Sequence, residues 1–250
     1  MCRHLAYLGA PLSLDALLLR GGHSLERQSW APREMEGALL NADGFGVGFF
    51  APHRDEPSRY RSVLPLWGDE TFAELAPGVL ARAAIANARS ATPGLGGGLV
   101  NTPPYLGAGW VFSHNGLIEG FRDVERSVRG ALSDDAWKLV RGTTDSECLF
   151  ALFVDACRES PPAEALLRSF ATLARLAPER RALLSVVATD GTQVLAVTHA
   201  LHGKPPSLYR ARRDDVVRVA SEPLDDDAWE PLRPGVVHVL RPGRVEEVRA

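Results

Sequence analysis

Two apolar runs of equal length, ALLSVVAT and QVLAVTHA, flank a short segment that begins Asp190-Gly191. Asp-Gly between strand-like runs reads as a hairpin turn, so the chain carries at least one antiparallel pair of well-buried strands. The same grammar recurs. CRHLAYLG, FGVGFF, AAIANARSA and GWVFSH are strand-like earlier in the chain, and VVRVAS, VVHVL and VEEVR close it, with Pro242-Gly243 as the last turn. Apolar residues at three- and four-residue intervals mark helices in LSLDALLL, ETFAELAPGVLARA, DAWKLVRG, DSECLFALFVDACRE and PAEALLRSFATLARLAPERR. Antiparallel strands interrupted by helices clustered in the middle give an α+β layered fold rather than a doubly wound one. NADGFGVGFF has alternating glycines, but they do not spell G-x-G-x-x-G and a strand follows them, so the expected role is close packing of one strand on another backbone.

Composition narrows the function classes. With 28 Lys+Arg against 31 Asp+Glu and a net charge of -3, no basic excess exists to follow a nucleic-acid backbone. No apolar run reaches bilayer length, and the start, broken by Asp15 and Arg20, does not read as a secretory leader. Neither nucleic acid nor membrane is expected as a partner. Three cysteines without a C-x-x-C pair argue against a disulfide framework and fit a reducing cytoplasm. Cys148 and Cys157 sit in an apolar helix-like segment and read as core. Seven scattered histidines lack metal-ligand spacing, and no linker divides the chain, so residues 1–250 are expected to form one domain without a metal.

Cys2 directly behind Met1 leaves two readings: a small buried hydrophobe in the first strand, or a nucleophile that becomes residue one once Met1 is removed. NARSATPG, FSHNGLIEG and GTTDSE concentrate polar groups near strand ends and loops. Each has an ordinary explanation alone. Arg89 can be a surface charge, Asn115-Gly116 a turn with positive φ, and Thr144 or Asp145 a helix cap.

Together with Cys2 these segments supply what cleavage of a γ-glutamyl amide needs. Its far end carries an α-carboxylate and an α-ammonium, which a guanidinium and a carboxylate held apart would recognise; Arg89 and Asp145 fit. The oxyanion formed at the scissile carbonyl wants a side-chain amide and a backbone N–H, and Asn115 and Gly116 fit. If Cys2 is the first residue, its own amine, with an ordinary pKa of about 7.7–8.0, can accept the thiol proton.

The initial Met-Cys, NADGFGVG, the R-x-x-T-x-G of residues 89–94, His114-Asn115-Gly116 and the TDSE from Thr144 resemble, in that order, the class II glutamine amidotransferase domain of the N-terminal nucleophile hydrolases. The resemblance runs from Cys2 to about residue 225. It implies a four-layer αββα sandwich of two stacked, largely antiparallel sheets. It also implies Cys2 as nucleophile and base, Asn115 and Gly116 as the oxyanion hole, Arg89 and Thr92 as contacts to the glutamyl carboxylate, and Asp145 as the α-ammonium partner. Pro93 stands where glutamine-using relatives often have histidine, and their N-T-H-P is Asn101-Thr102-Pro103-Pro104 here, which turns the expectation away from glutamine.

HSLERQSWAPREM and SEPLDDDAW make the chain look most like the γ-glutamyl hercynylcysteine sulfoxide hydrolases of ergothioneine biosynthesis. That implies release of glutamate from a small γ-glutamyl substrate by water, without metal or organic cofactor. The open alternatives are a glutaminase subunit feeding ammonia to a separate synthase, a hydrolase of another γ-glutamyl amine, and a non-catalytic γ-glutamyl binding module. Trp30, Tyr105 and Trp110 are candidates for the leaving-group wall, and His199, His202 and Lys204 for a solvated turn.

Overall fold

A computed structural model describes residues 1–35, 40–91 and 96–249. The chain begins with β1 (Arg3–Ser13), α1 (Leu14–Leu18), α2 (Leu25–Trp30), β2 (Phe45–Phe50), β3 (Ser58–Ser62), α3 (Glu70–Leu75) and β4 (Leu80–Ala88). β5 (Tyr105–Gly107), β6 (Trp110–Ile118), α4 (Phe121–Gly130), α5 (Asp134–Trp137), α6 (Asp145–Ala156) and α7 (Pro162–Leu176) follow. Seven strands then complete the described residues: β7 (Ala182–Thr189), β8 (Val194–Leu201), β9 (Tyr209–Ala211), β10 (Val217–Ala220), β11 (Trp229–Pro231), β12 (Val236–Arg241) and, last, β13 (Arg244–Arg249).

The strands form two antiparallel sheets, in the orders β11-β9-β10-β1-β4-β2-β3 and β13-β12-β8-β7-β6-β5. Alternation along each strand builds three apolar layers between four structural ones. Ala6, Leu8, Ile85, Val111, Val187 and Val219 fill the space between the sheets. Leu5, Tyr7, Phe45 and Phe72 belong to the layer under α1–α3, while Phe112, Phe150, Phe153 and Leu184 belong to that under α4, α6 and α7. The result is the αββα sandwich that the motifs implied.

The Asp190-Gly191 turn joins β7 to β8 with Thr189 facing Val194, and Asp190 Oδ1 accepts the Thr192 N–H at 2.8 Å. The glycines of β2 do what close packing requires: a Cβ on Gly46 would lie 2.5 Å from Pro103 O, and one on Gly48 the same distance from Val111 Cγ1. Cys148 is buried and Cys157 packs against the same layer, as core residues.

Several boundaries differ from the periodicity. β1 runs through LSLDALLL as far as Ser13, leaving a helix of one turn at Leu14–Leu18. The helical reading of ETFAELAPGVLARA stops at Leu75; Pro77 follows in a short 3-10 turn, and the next residues enter β4. DAWKLVRG contributes only its first three residues, Asp135 to Trp137, to the short helix Asp134–Trp137. Asn115 and Gly116 belong to β6, paired with Ser185 and Leu184, and not to a turn of positive φ.

Candidate active site

β1 lies between β10 and β4, so the residue entering it is fixed on both sides. Cys2 is that residue. Its half-buried Sγ accepts the Ser90 N–H at 3.4 Å and its thiol donates to the Ser90 carbonyl at 3.6 Å, just beyond the end of β4. Arg3 turns to the other face, where Nε donates to the Cys2 carbonyl at 2.7 Å and Nη1 to Glu222 Oε1 at 2.8 Å. Burial pushes the other two thiols up, Cys148 to about 12 and Cys157 to about 11, so both stay protonated and inert.

Arg89, also past the end of β4, is buried; its Nη2 donates to Gly96 O at 3.0 Å and its Nη1 to Asp43 O at 3.4 Å. Asp145 opens α6, capped by Thr144, whose hydroxyl accepts the Glu147 N–H. Its carboxylate accepts Ile118 N–H at 2.8 Å and Ser146 N–H at 2.7 Å, tying α6 to β6. Arg89 and Asp145 thus carry opposite charges into one cleft. Among the described residues neither makes an ion pair, with the other or with anything else.

The cleft encloses about 30 Å³ and is lined by Cys2, Arg89, Ser90, Gly116, Asp145 and Ser146, with His114, Tyr105, Asn101, Pro103 and Thr144 completing the wall. Gly116 is forced to be glycine, because a Cβ there would collide with the Leu183 carbonyl oxygen on β7. Asn115 is fully buried on the face between the sheets and is not among the lining residues; its Nδ2 lies 3.4 Å from Ser221 Oγ. Thr92 lies outside the described residues. The structure therefore gathers Cys2, Arg89, Gly116 and Asp145 around one space and puts Asn115 directly beside it in β6.

Sequence reasoning assigned no hydrogen-bonding role to most of the supporting shell. His114 bridges Ser146 Oγ (2.8 Å) and the Leu183 carbonyl (2.9 Å); its pKa is lowered by burial, against the pull of Asp145, so the ring is neutral. Tyr105 O–H meets Thr144 Oγ1 at 2.7 Å, with its pKa raised chiefly by burial. Asn101 bonds to Gly96 O through Nδ2 and to Thr143 N–H through Oδ1. Glu222 accepts from Arg3, from His23, and from the N–H groups of Arg33 and Glu34. Burial alone would raise the pKa of Glu222, but those donors and the Arg3 charge bring it below the usual range.

Of the three proposed wall aromatics, only Tyr105 lines the cleft. Trp110 is a core residue, edge-on to Phe153 with centroids 5.1 Å apart, and Trp30 lies on the surface under the Arg27 guanidinium. His199 stacks on Phe170, and His202 donates through Nε2–H to the Pro178 carbonyl while its ring stays exposed beside exposed Gly203 and Lys204, so the THALHGK segment runs from β8 into a solvated turn. A wider surface cleft of about 770 Å³ beside α6 and α7 includes in its lining the ion pairs Arg168–Glu159 and Arg158–Asp155.

Residues 20–203 match the family model described as "Glutamine amidotransferases class-II". The chain belongs to this family. It is 38% identical over 233 residues to a γ-glutamyl-hercynylcysteine sulfoxide hydrolase of Mycolicibacterium smegmatis, covering 93% of this chain and 92% of that one. A hydrolase of the same name from Mycobacterium tuberculosis is 35% identical over 229 residues, 91% of this chain and 87% of its own. The solved class-II domain protein of Silicibacter pomeroyi superposes with a TM-score of 0.75 at 26% identity, over 99% of both chains. No helix among the described residues is long and apolar enough to cross a membrane.

Proposed function

We propose that the protein hydrolyses the γ-glutamyl amide of γ-glutamyl hercynylcysteine sulfoxide, giving glutamate and hercynylcysteine sulfoxide in ergothioneine biosynthesis, through a thioester on Cys2 after Met1 is removed. The observation that carries this reading is the pair of buried, opposite charges, Arg89 and Asp145, which make no ion pair among the described residues, beside a half-buried thiol. Buried charges held by neutral hydrogen-bond partners alone gain from a countercharge, and a zwitterionic glutamyl head supplies one to each. The likeness to the mycobacterial hydrolases over nine-tenths of the chain supports the leaving group. Three free thiols support a reducing compartment, the cytoplasm.

The chemistry follows from these positions. The Cys2 amine takes the thiol proton, and sulfur attacks the γ-carbonyl. The oxyanion is held by the Gly116 N–H and the Asn115 amide. Collapse breaks the C–N bond, with the amine proton passing to the departing nitrogen, and leaves a γ-glutamyl thioester. Water, deprotonated by the same amine, then attacks the thioester; glutamate leaves and the thiol is restored. In the untrimmed chain, burial already holds the Met1 ammonium below its ordinary pKa, Cys2 opposing and Arg3 adding to the fall.

The test is glutamate release by protein of confirmed N-terminal mass from γ-glutamyl hercynylcysteine sulfoxide, glutamine and γ-glutamylcysteine. Preference for the sulfoxide is the expected result. Preference for glutamine would instead make the chain an ammonia-producing subunit. Cys2→Ala and a Met1-retaining form should each lose turnover, and near-normal rates in either would rule out the N-terminal mechanism.

A further inference from the structure

Asn115 and Ser221 meet in an arrangement that one rotation improves. Ser221 Oγ accepts the His4 N–H at 3.0 Å and faces Asn115 Nδ2 at 3.4 Å, so two donors converge on it while its own hydroxyl hydrogen has no acceptor among the described residues. Asn115 Oδ1 is buried with no donor at all. The two ends of a carboxamide have the same shape, and hydrogen bonding decides which end faces which neighbour. Turning the amide by half a revolution lets Ser221 O–H donate to Oδ1 and releases Nδ2. Both mismatches disappear, and the atom left without a protein partner becomes a donor instead of an acceptor.

Strand geometry shows where that donor stands. His4 on β1 meets Ser113 on β6 across the space between the sheets, with Nδ1 3.2 Å from Oγ. Side chains on one face recur every second residue, so Cys2, two before His4, and Asn115, two after Ser113, share these facing surfaces. His114 and Gly116 line the same cleft as Cys2, which puts the Asn115 step at the Cys2 end of the stack.

We propose that Ser221 is a positioning residue: its hydroxyl, anchored by the His4 N–H, holds Asn115 Oδ1 so that Nδ2 presents a hydrogen to the oxyanion formed during attack by Cys2. This rests on the proposed γ-glutamyl hydrolysis and adds the group that orients its oxyanion hole. Ser221 follows β10 directly, and Glu222 after it holds Arg3, so adjacent residues fix the two sides of the reaction centre.

The experiment is a double-mutant cycle on glutamate release from γ-glutamyl hercynylcysteine sulfoxide, with Ser221→Ala, Asn115→Ala and their combination, and Ser221→Thr as the hydroxyl-preserving control. Asn115→Ala should lower kcat roughly 10²–10³-fold, as loss of one oxyanion donor does. Ser221→Ala should lower kcat about ten-fold with KM unchanged, the worth of one hydrogen bond, and should cost nothing further in the Asn115→Ala background. Ser221→Thr should recover most of kcat. Should Ser221→Ala compromise folding, the double mutant still reports on orientation, because loss of folded enzyme lowers kcat in the wild-type and Asn115→Ala backgrounds alike, whereas loss of orientation lowers it only where Asn115 is present. Full additivity of the two alanine variants, or a silent Ser221→Ala beside a damaging Asn115→Ala, overturns the positioning role and leaves the hydrolase reading intact. A silent Asn115→Ala, or wild-type protein inert on the sulfoxide, glutamine and γ-glutamylcysteine, overturns the reading of the site and the positioning role with it.

Discussion

Arg3 bonds the carbonyl of the residue before it and a carboxylate 219 positions further on, and both side chains of that ion pair are about 1% exposed. Removing one partner of a buried pair strands the other charge. Glu222→Gln should therefore cost about 3–5 kcal/mol of stability, read by urea unfolding, and should lower glutamate release because the Cys2 carbonyl loses its anchored donor. A cost below about 1 kcal/mol would mean that the pair is relieved by solvent.

Arg89 and Asp145 are assigned to the two ends of the glutamyl zwitterion, so their variants should act on binding. Arg89→Lys replaces a planar fork by a point charge, and Asp145→Asn removes the countercharge. Each should raise KM about 10–100-fold, the worth of a charge-assisted hydrogen bond, with a smaller change in kcat. Unchanged KM in steady-state assays would take the residue out of the substrate site.

Gly116 allows β6 and β7 to approach at the cleft. With a Cβ there directed into the Leu183 carbonyl, Gly116→Ala must push the strands apart. The expected loss is about 3 kcal/mol or more, in thermal or urea unfolding. A variant of native stability would show that β6 shifts without cost.

Acid should unfold the protein early. His4, between Ser113 and Ser185, is held down to about 3 by burial, and His238 to about 4, whereas in the unfolded chain both titrate near 6.5. Above 6.5 neither state binds the proton and stability is at its full value. Below it the unfolded chain takes up a proton that the folded one refuses, so stability falls with falling pH by about 1.4 kcal/mol per unit for each histidine. Denaturant titrations between pH 7 and 5 should show this slope, and His4→Asn should reduce it by one histidine's share; an equal slope in the variant would count against His4.

Legibility tracked the length and polarity of each segment. β7, β8, β12 and β13 could be read because alternating or continuous apolar runs are punctuated by Asp190-Gly191 and Pro242-Gly243. β5, β9 and β11 have three residues each, and β3 reads SRYRS, so pairing with a neighbouring strand, not their own pattern, makes them strands. In α4 the apolar positions Phe121, Val124 and Val128 are thin among charges, and the helix forms because Phe121 and Val128 are buried in the core and Val124 packs against it while the charged positions stay wet. Cys2, Arg89, Gly116 and Asp145 were visible as motifs, each near a strand or helix end. Ser221 and Glu222 open the SEPLDDDAW segment, but their roles were not legible there, because their partners lie more than a hundred residues away, and no local pattern encodes such contacts.

The position of β1 also sets an order of events during synthesis. Its flanking strand β10 comes late, and His4 and Ser221 are 217 positions apart. While the ribosome makes the intervening chain, the first residues have no complete seat and remain loose. Once β10 docks, Met1 is partly buried against the folded molecule. An aminopeptidase thus has easiest access to Met1 before folding ends; on the proposed N-terminal mechanism, fast folding relative to trimming would yield intact but inactive molecules, and the fraction of active enzyme becomes a race between two clocks.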